Sequence, residues 1–121
     1  MEIDIFMNNK IVLQLDPTAS NGRNSEGSFI TLNDGRILFA YTKYNTGGSS
    51  DHDPSVIVCR VSADDGLTWE EEDHVLVEPG EALNVMSVSL LRLQDKRIAL
   101  LYVRKKNGRR HFVHAVDLLQ R

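Results

Sequence analysis

Phe29-Ile30-Thr31-Leu32-Asn33-Asp34-Gly35-Arg36-Ile37-Leu38-Phe39-Ala40-Tyr41 returns 61 residues later as Leu90-Leu91-Arg92-Leu93-Gln94-Asp95-Lys96-Arg97-Ile98-Ala99-Leu100-Leu101-Tyr102. Leu32, Asp34, Arg36, Ile37 and Tyr41 recur as Leu93, Asp95, Arg97, Ile98 and Tyr102 at that one offset, and Ser28 recurs as Ser89. Each copy reads as two short apolar strands around a turn. Asn33-Asp34-Gly35 tolerates the positive φ that a tight hairpin needs. A turn and two flanking strands kept at constant spacing mark a duplicated supersecondary unit. Lys96 stands where the first copy has Gly35; a positive φ there would strain it, so another turn type is open for the second copy.

Outward from this repeat the chain alternates β-type runs with turn-rich pieces. Lys10 to Leu15, Ser28 to Leu32, Arg36 to Thr42, Val56 to Ser62 and a short run at His74 to Val77 are expected strands. Asn21-Gly22 and Asn24-Ser25 read as a loop, and Lys43 to Pro54 as a longer polar one. His111 to Leu119 suits a third strand of the second unit, although Phe112, Val116 and Leu119 also fall near helical spacing.

The 121 residues carry a formal charge of −3 and 41% hydrophobic residues, which points to neither a nucleic-acid binder nor an acidic tail. Residues 1 to 91 hold 15 acidic and 5 basic side chains, while residues 92 to 121 hold 2 and 9. The basic end reads as a solvated face, with Lys105, Lys106, Arg109 and Arg110 decorating an Asn107-Gly108 turn. Cys59 is the single cysteine and suits a small buried hydrophobe. No basic start and apolar stretch marks a signal peptide, and no window approaches the roughly 20 apolar residues of a membrane span. His111 and His114 lack a third ligand of suitable spacing, so no metal is expected.

Ser62-Ala63-Asp64-Asp65-Gly66-Leu67-Thr68-Trp69 matches Ser-x-Asp-x-Gly-x-Thr-Trp, the Asp-box pattern. Asp64 can accept backbone N–H groups left free by a tight turn, and Gly66 permits a positive φ. Thr68 is then expected to re-enter a strand, with Trp69 buried against the neighbouring sheet. With Asn24 to Phe29, Asp51 to Pro54 and Asn84 to Ser89, this stretch resembles the sialidase superfamily, whose bacterial neuraminidase repeats build β-propellers. The resemblance covers residues 10 to 104 and implies an all-β chain: a partial β-propeller of about one and a half four-stranded blades from a six-bladed fold. Residues 24–80 would form the first blade, with its Asp box at 62–69, and residues 84–121 an incomplete second, within one segment spanning 1–121. The next Asp box would open at position 123, so the chain is expected to end inside a blade and to self-associate through open sheet edges.

The resemblance also implies a carbohydrate or glycoconjugate substrate, and exo-acting glycoside hydrolysis in a complete protein, periplasmic or secreted. No cofactor is implied, because carboxylates suffice for glycosidic cleavage. The isolated chain would be inactive or serve as a noncatalytic carbohydrate-binding segment. Asp53, Asp51 and Glu26 are the catalytic candidates. Two carboxylates two residues apart, Asp51 and Asp53, can repel and raise one apparent pKa, which suits an acid; Asp53 is the first choice. His52, Asn84 and Arg23 are substrate-binding candidates, with the Asn84 amide suited to a sugar hydroxyl. Ser62, Asp64, Gly66, Thr68 and Trp69 are structural. Sialidases carry an Arg-Ile-Pro element where this chain has Ser25-Glu26-Gly27-Ser28, with Arg23 nearby but displaced. An acidic group in that place favours a neutral sugar over sialic acid.

Overall fold

The computed structural model describes residues 9–106 in full and residues 109–116 as backbone. Seven antiparallel strands form two sheets. The first is ordered β1 (Arg23–Thr31), β2 (Ile37–Tyr44), β3 (Val56–Ser62) and β4 (His74–Val77); the second is β5 (Asn84–Arg92), β6 (Ile98–Lys106) and β7 (Arg109–Val116). The fold is all-β, and the short β-branched and aromatic runs set its strands.

The two hairpins are duplicates down to their irregularities. Thr31 pairs with Ile37 and Arg23 with Tyr44; 61 residues on, Arg92 pairs with Ile98 and Asn84 with Lys105. Each hairpin has a bulge in its first strand, between Ser25 and Ser28 and between Met86 and Ser89. Glu26 and Ser87 occupy these bulges with φ of 47° and 61°. The turns also agree. Gly35 N–H donates to Leu32 O and Lys96 N–H to Leu93 O, while Asp34 and Asp95 accept from the backbone and side chain of Arg36 and Arg97. Lys96 adopts a φ of 71° against 91° for Gly35, so the second turn is not of another type. The hydrogen-bonded frame holds Lys96 in a left-handed conformation that its Cβ disfavours.

Alternation along β2 and β3 divides the first sheet into two faces. Leu38, Ala40, Ile57 and Cys59 face the second sheet and pack with Val85, Val88, Ile98, Leu100 and Tyr102. Burial there pushes the Cys59 thiol up to about 11, as an inert core residue requires. The other face carries Phe39, Tyr41, Val56 and Val58, with Leu15 packed on them. Polar links fasten the sheets as well. Ser87 N–H donates to Thr42 Oγ1, Leu90 N–H to Ser28 Oγ, and Arg92 donates to Asn33 Oδ1 and to the Thr31 carbonyl.

Several expectations need correction. Lys10 to Leu15 is not a strand; it crosses the face of the sheet, where Leu15 packs beside Tyr41 and the Leu15 carbonyl accepts from Asn24. Asn24 and Ser25 lie inside β1, since the bulge at Glu26 lets pairing continue past Ser28. The basic cluster is not a loop: Lys105 pairs with Arg110 and Lys106 with Arg109 across β6 and β7, and Lys105 is only 4% exposed. Residues 109–116 are a strand and not a helix. The turn at Asn107-Gly108, residues 117–119 and the side chains of His111 and His114 lie outside the described residues.

Lys96 generates a test. A Cβ at Gly35 would meet no atom within 4 Å, so only backbone conformation distinguishes the two turns. Lys96→Gly should therefore raise stability by about 1 kcal/mol, and Gly35→Ala should lower it by about as much. Urea unfolding of the two variants reads both signs; an unchanged Lys96→Gly midpoint would remove the strain argument.

Candidate functional site

The Ser62–Trp69 turn is bonded within itself. Asp64 Oδ1 accepts from Ser62 Oγ at 2.8 Å and from Thr68 N–H at 2.8 Å, and Asp64 Oδ2 accepts from Thr68 Oγ1 at 2.6 Å. Ser62 Oγ accepts from Gly66 N–H at 2.8 Å, and Trp69 Nε1 donates to Gly66 O at 3.0 Å. Asp65 and Gly66 both have positive φ. These hydrogen bonds, led by Thr68, hold the Asp64 carboxyl below the usual carboxylate range. Thr68 does not re-enter a strand; its hydroxyl is committed to Asp64, and β4 starts only at His74. Trp69 packs on Phe29 and Phe39 of its own sheet, not on the neighbouring one.

The Asp51–Asp53 loop enters β3 at the end opposite to this turn. Seven strand residues separate the two, or about 20 Å. Around that loop, three elements contribute charged groups to one cleft of about 230 Å³, which is also lined by Met86, Ser87 and Val103. Arg23 at the start of β1 donates to Asp51 Oδ1 at 2.6 Å and lies 3.6 Å from Glu26 Oε1. Its guanidinium sits 4.8 Å from the centre of the Tyr44 ring. Glu26 in the β1 bulge accepts from Ser87 Oγ in the equivalent β5 bulge at 2.5 Å. The buried Lys105 on β6 donates to the Asp51 carbonyl at 2.8 Å.

The structure therefore brings Arg23, Glu26 and Asp51 together, and it uses the other candidates differently. Asn84 is fully buried, and its Nδ2 donates to the carbonyls of Asp51 and Asp53 at 2.8 and 3.0 Å. Its amide nitrogen is a staple for the loop and not a free donor for a sugar hydroxyl. Asp53 Oδ2 accepts from Ser50 N–H at 2.8 Å, closing the loop on itself. His52 is exposed, and its backbone N–H donates to Ser50 Oγ. Repulsion between neighbouring carboxylates does not raise Asp51: the hydrogen bond and charge of Arg23 hold it below its ordinary range. Asp51 is thus an anion at neutral pH, suited to stabilising positive charge.

A second cluster escaped sequence reasoning. On the face of the first sheet away from the second, Asp73 accepts from Tyr41 Oη at 2.6 Å, Lys43 Nζ at 2.6 Å and Arg60 Nε at 2.8 Å. Burial opposes ionisation of Asp73, but Arg60, Lys43 and Tyr41 outweigh it and bring the carboxyl down to about 2. Burial first, and then Asp73, pushes the Tyr41 hydroxyl well up. Asp73 closes the run Glu70-Glu71-Glu72-Asp73, so the sequence offered only an acidic stretch; pairing of β2 with β3 supplies the cations. Among the described residues, no group of His, Cys, Asp and Glu side chains is arranged to hold a metal.

No protein-family model and no curated protein matches this chain.

The Asp73 network sets a pH dependence. Its carboxyl is depressed in the folded chain, so its contribution is full above the unfolded value near 3.8 and is lost as pH falls toward 2. Asp73→Asn should cost about 2 kcal/mol at neutral pH and flatten the acid limb of stability between those values. Thermal melts of both proteins from neutral pH to about 2 check this; parallel acid limbs would show that other carboxylates carry it.

Proposed function

We propose that this chain supplies the first blades of a sialidase-like, six-bladed β-propeller and that its cleft is part of a glycoside-processing site acting on a neutral sugar. One observation carries the reading: Glu26 and Asp51, from different elements, converge on Arg23 at the sheet end remote from the Asp-box turn. Glycoside cleavage needs a proton donor and a second group that acts as nucleophile or base. Asp51, ionised beside Arg23, fits the anionic role; the donor role falls to Asp53 or Glu26, with Asp53 the first choice. The preference for a neutral sugar follows from charge. Both carboxylates already occupy Arg23, and Glu26 would repel an acidic substrate at close range. Further blades would bring the remaining groups to the cleft.

A noncatalytic carbohydrate-binding role is the second reading, and the bonding of Asp53 favours it. A carboxylate that already caps a loop through Ser50 serves structure without chemistry.

In the complete protein, Asp53→Asn keeps an acceptor for Ser50 N–H and removes the acid. It should reduce turnover of a neutral glycoside with a poor leaving group by about 10² to 10⁴. A panel of neutral glycosides and sialosides, assayed with Asp53→Asn and Glu26→Gln, gives the test. Full turnover in Asp53→Asn moves the acid to Glu26; selective action on sialosides would reject the neutral-sugar assignment. Binding without turnover would establish the second reading.

A further inference from the structure

The cleft gathers positions at which the two copies of the repeat differ. Leu32, Asp34, Arg36 and Ile37 keep their residue type 61 positions on, because turn and core make the same demand of both copies. Around the cleft the types change: Arg23, Glu26 and Tyr44 of the first copy become Asn84, Ser87 and Lys105 in the second. The last exchange works against stability. Tyr44 is fully buried, with its hydroxyl 3.9 Å from Met86 Sδ. Lys105 takes the equivalent place opposite Asn84, as Tyr44 lies opposite Arg23, and it is 4% exposed. An uncharged ring satisfies the packing in the first copy, so the fold has no need of an ammonium there. Burying one is unfavourable unless its donors are engaged. Among the described residues, Lys105 Nζ has one acceptor, the Asp51 carbonyl at 2.8 Å, for three N–H bonds.

We infer that Lys105 is a specificity-determining residue of the cleft: its ammonium donates to one hydroxyl of a single neutral sugar ring. The inference rests on the carbohydrate reading above and adds to it the residue that selects the substrate. Charge, chemistry and size agree with that class. Arg23 and Lys105 balance Glu26 and Asp51, so the lining gives no advantage to a charged ligand of either sign. Cations and carboxylates side by side suit a hydroxyl, which accepts from one and donates to the other. Val103 and Lys105 lie two apart on one face of β6, and Val103 pairs with Met86. An apolar wall therefore stands beside the ammonium, matching the C–H face of a sugar ring. The volume of about 230 Å³ lies below the roughly 300–1,000 Å³ of sites for drug-sized ligands, which suits one ring.

A double-mutant cycle between protein and sugar tests it. Methyl glycosides of glucose, galactose and mannose, with the monodeoxy forms of each, are titrated into the unaltered chain and into Lys105→Met while backbone NMR shifts are followed. Methionine fills similar space without charge; Lys105→Gln takes its place should Lys105→Met fail to fold. At least one parent sugar should bind the unaltered chain, and Lys105→Met should weaken that binding about 10- to 100-fold. One deoxy form of that sugar should bind the unaltered chain just as weakly and lose nothing further in the variant, because the hydroxyl that Lys105 holds is already gone. Equal losses for the parent and every deoxy form would assign Lys105 to support of the Asp51 loop alone and overturn the inference. Unchanged binding in the variant would overturn it as well, while leaving the carbohydrate reading in place. An unaltered chain that binds none of these sugars would remove the carbohydrate reading itself, and the inference with it.

Discussion

Two sheets of one repeat hold each other through a single strip of apolar side chains, and the rest of the molecule is arranged around that contact. Leu38, Ala40, Ile57 and Cys59 present one side; Val85, Ile98, Leu100 and Tyr102 present the other. Fully burying a large aliphatic or aromatic side chain is worth about 1.5–3 kcal/mol, so a strip of this length outweighs any single turn or ion pair described above. A one-residue slip in β2 would send Phe39 and Tyr41 into this strip and Leu38 and Ala40 out of it. The matched bulges at Glu26 and Ser87 keep the register, since each shifts its strand by the same step.

The contact also builds the cleft. Docking β5 beside β1 sets the two bulges face to face, so that Glu26 meets Ser87. It carries Lys105 and Asn84 under the β2–β3 loop, where both bond to the carbonyl of Asp51. The buried ammonium of Lys105 is tolerated because a carbonyl oxygen accepts from it in place of water. The position of this loop is coupled to the integrity of the sheet interface: a change at Asn84 or Lys105 would reach Asp51 through the backbone.

Charge is distributed in the same economical way. Arg23 answers two carboxylates, and Asp73 answers two cations and a phenol on the opposite side of the first sheet. The Asp73 group has every donor within hydrogen-bond distance in a half-buried setting, where such networks gain strength if complete and cost stability if broken. That network ties β2 and β3 to the segment leading into β4, the shortest strand of its sheet. The acidic turn between them is thereby fixed at both ends, by Asp64 at one and Asp73 at the other.

Strand positions of the first hairpin, the β3 and β4 bounds, the duplicated turn and the bonding role of Asp64 are legible in the sequence because they depend on neighbours within a few residues. Alternating apolar side chains and a turn that accepts positive φ carry their meaning locally. The extension of β1 across Glu26 is not legible, because a bulge is decided by the partner strand. Residues 10–15 look like a strand on the same apolar grounds, yet they pair with no strand; Leu15 packs beside Tyr41 and Ile11 is left exposed. The fate of Arg23, Asn84, Lys105 and Asp73 was likewise beyond the sequence: their hydrogen-bond partners lie 13 to 54 residues away, on segments that meet only once the sheets pair and pack. The sequence by itself determined an all-β repeat with a structural acidic turn. The tertiary structure alone decided which charges meet, because electrostatic and hydrogen-bond partners are chosen by distance in space, and the strand register and the sheet interface set that distance.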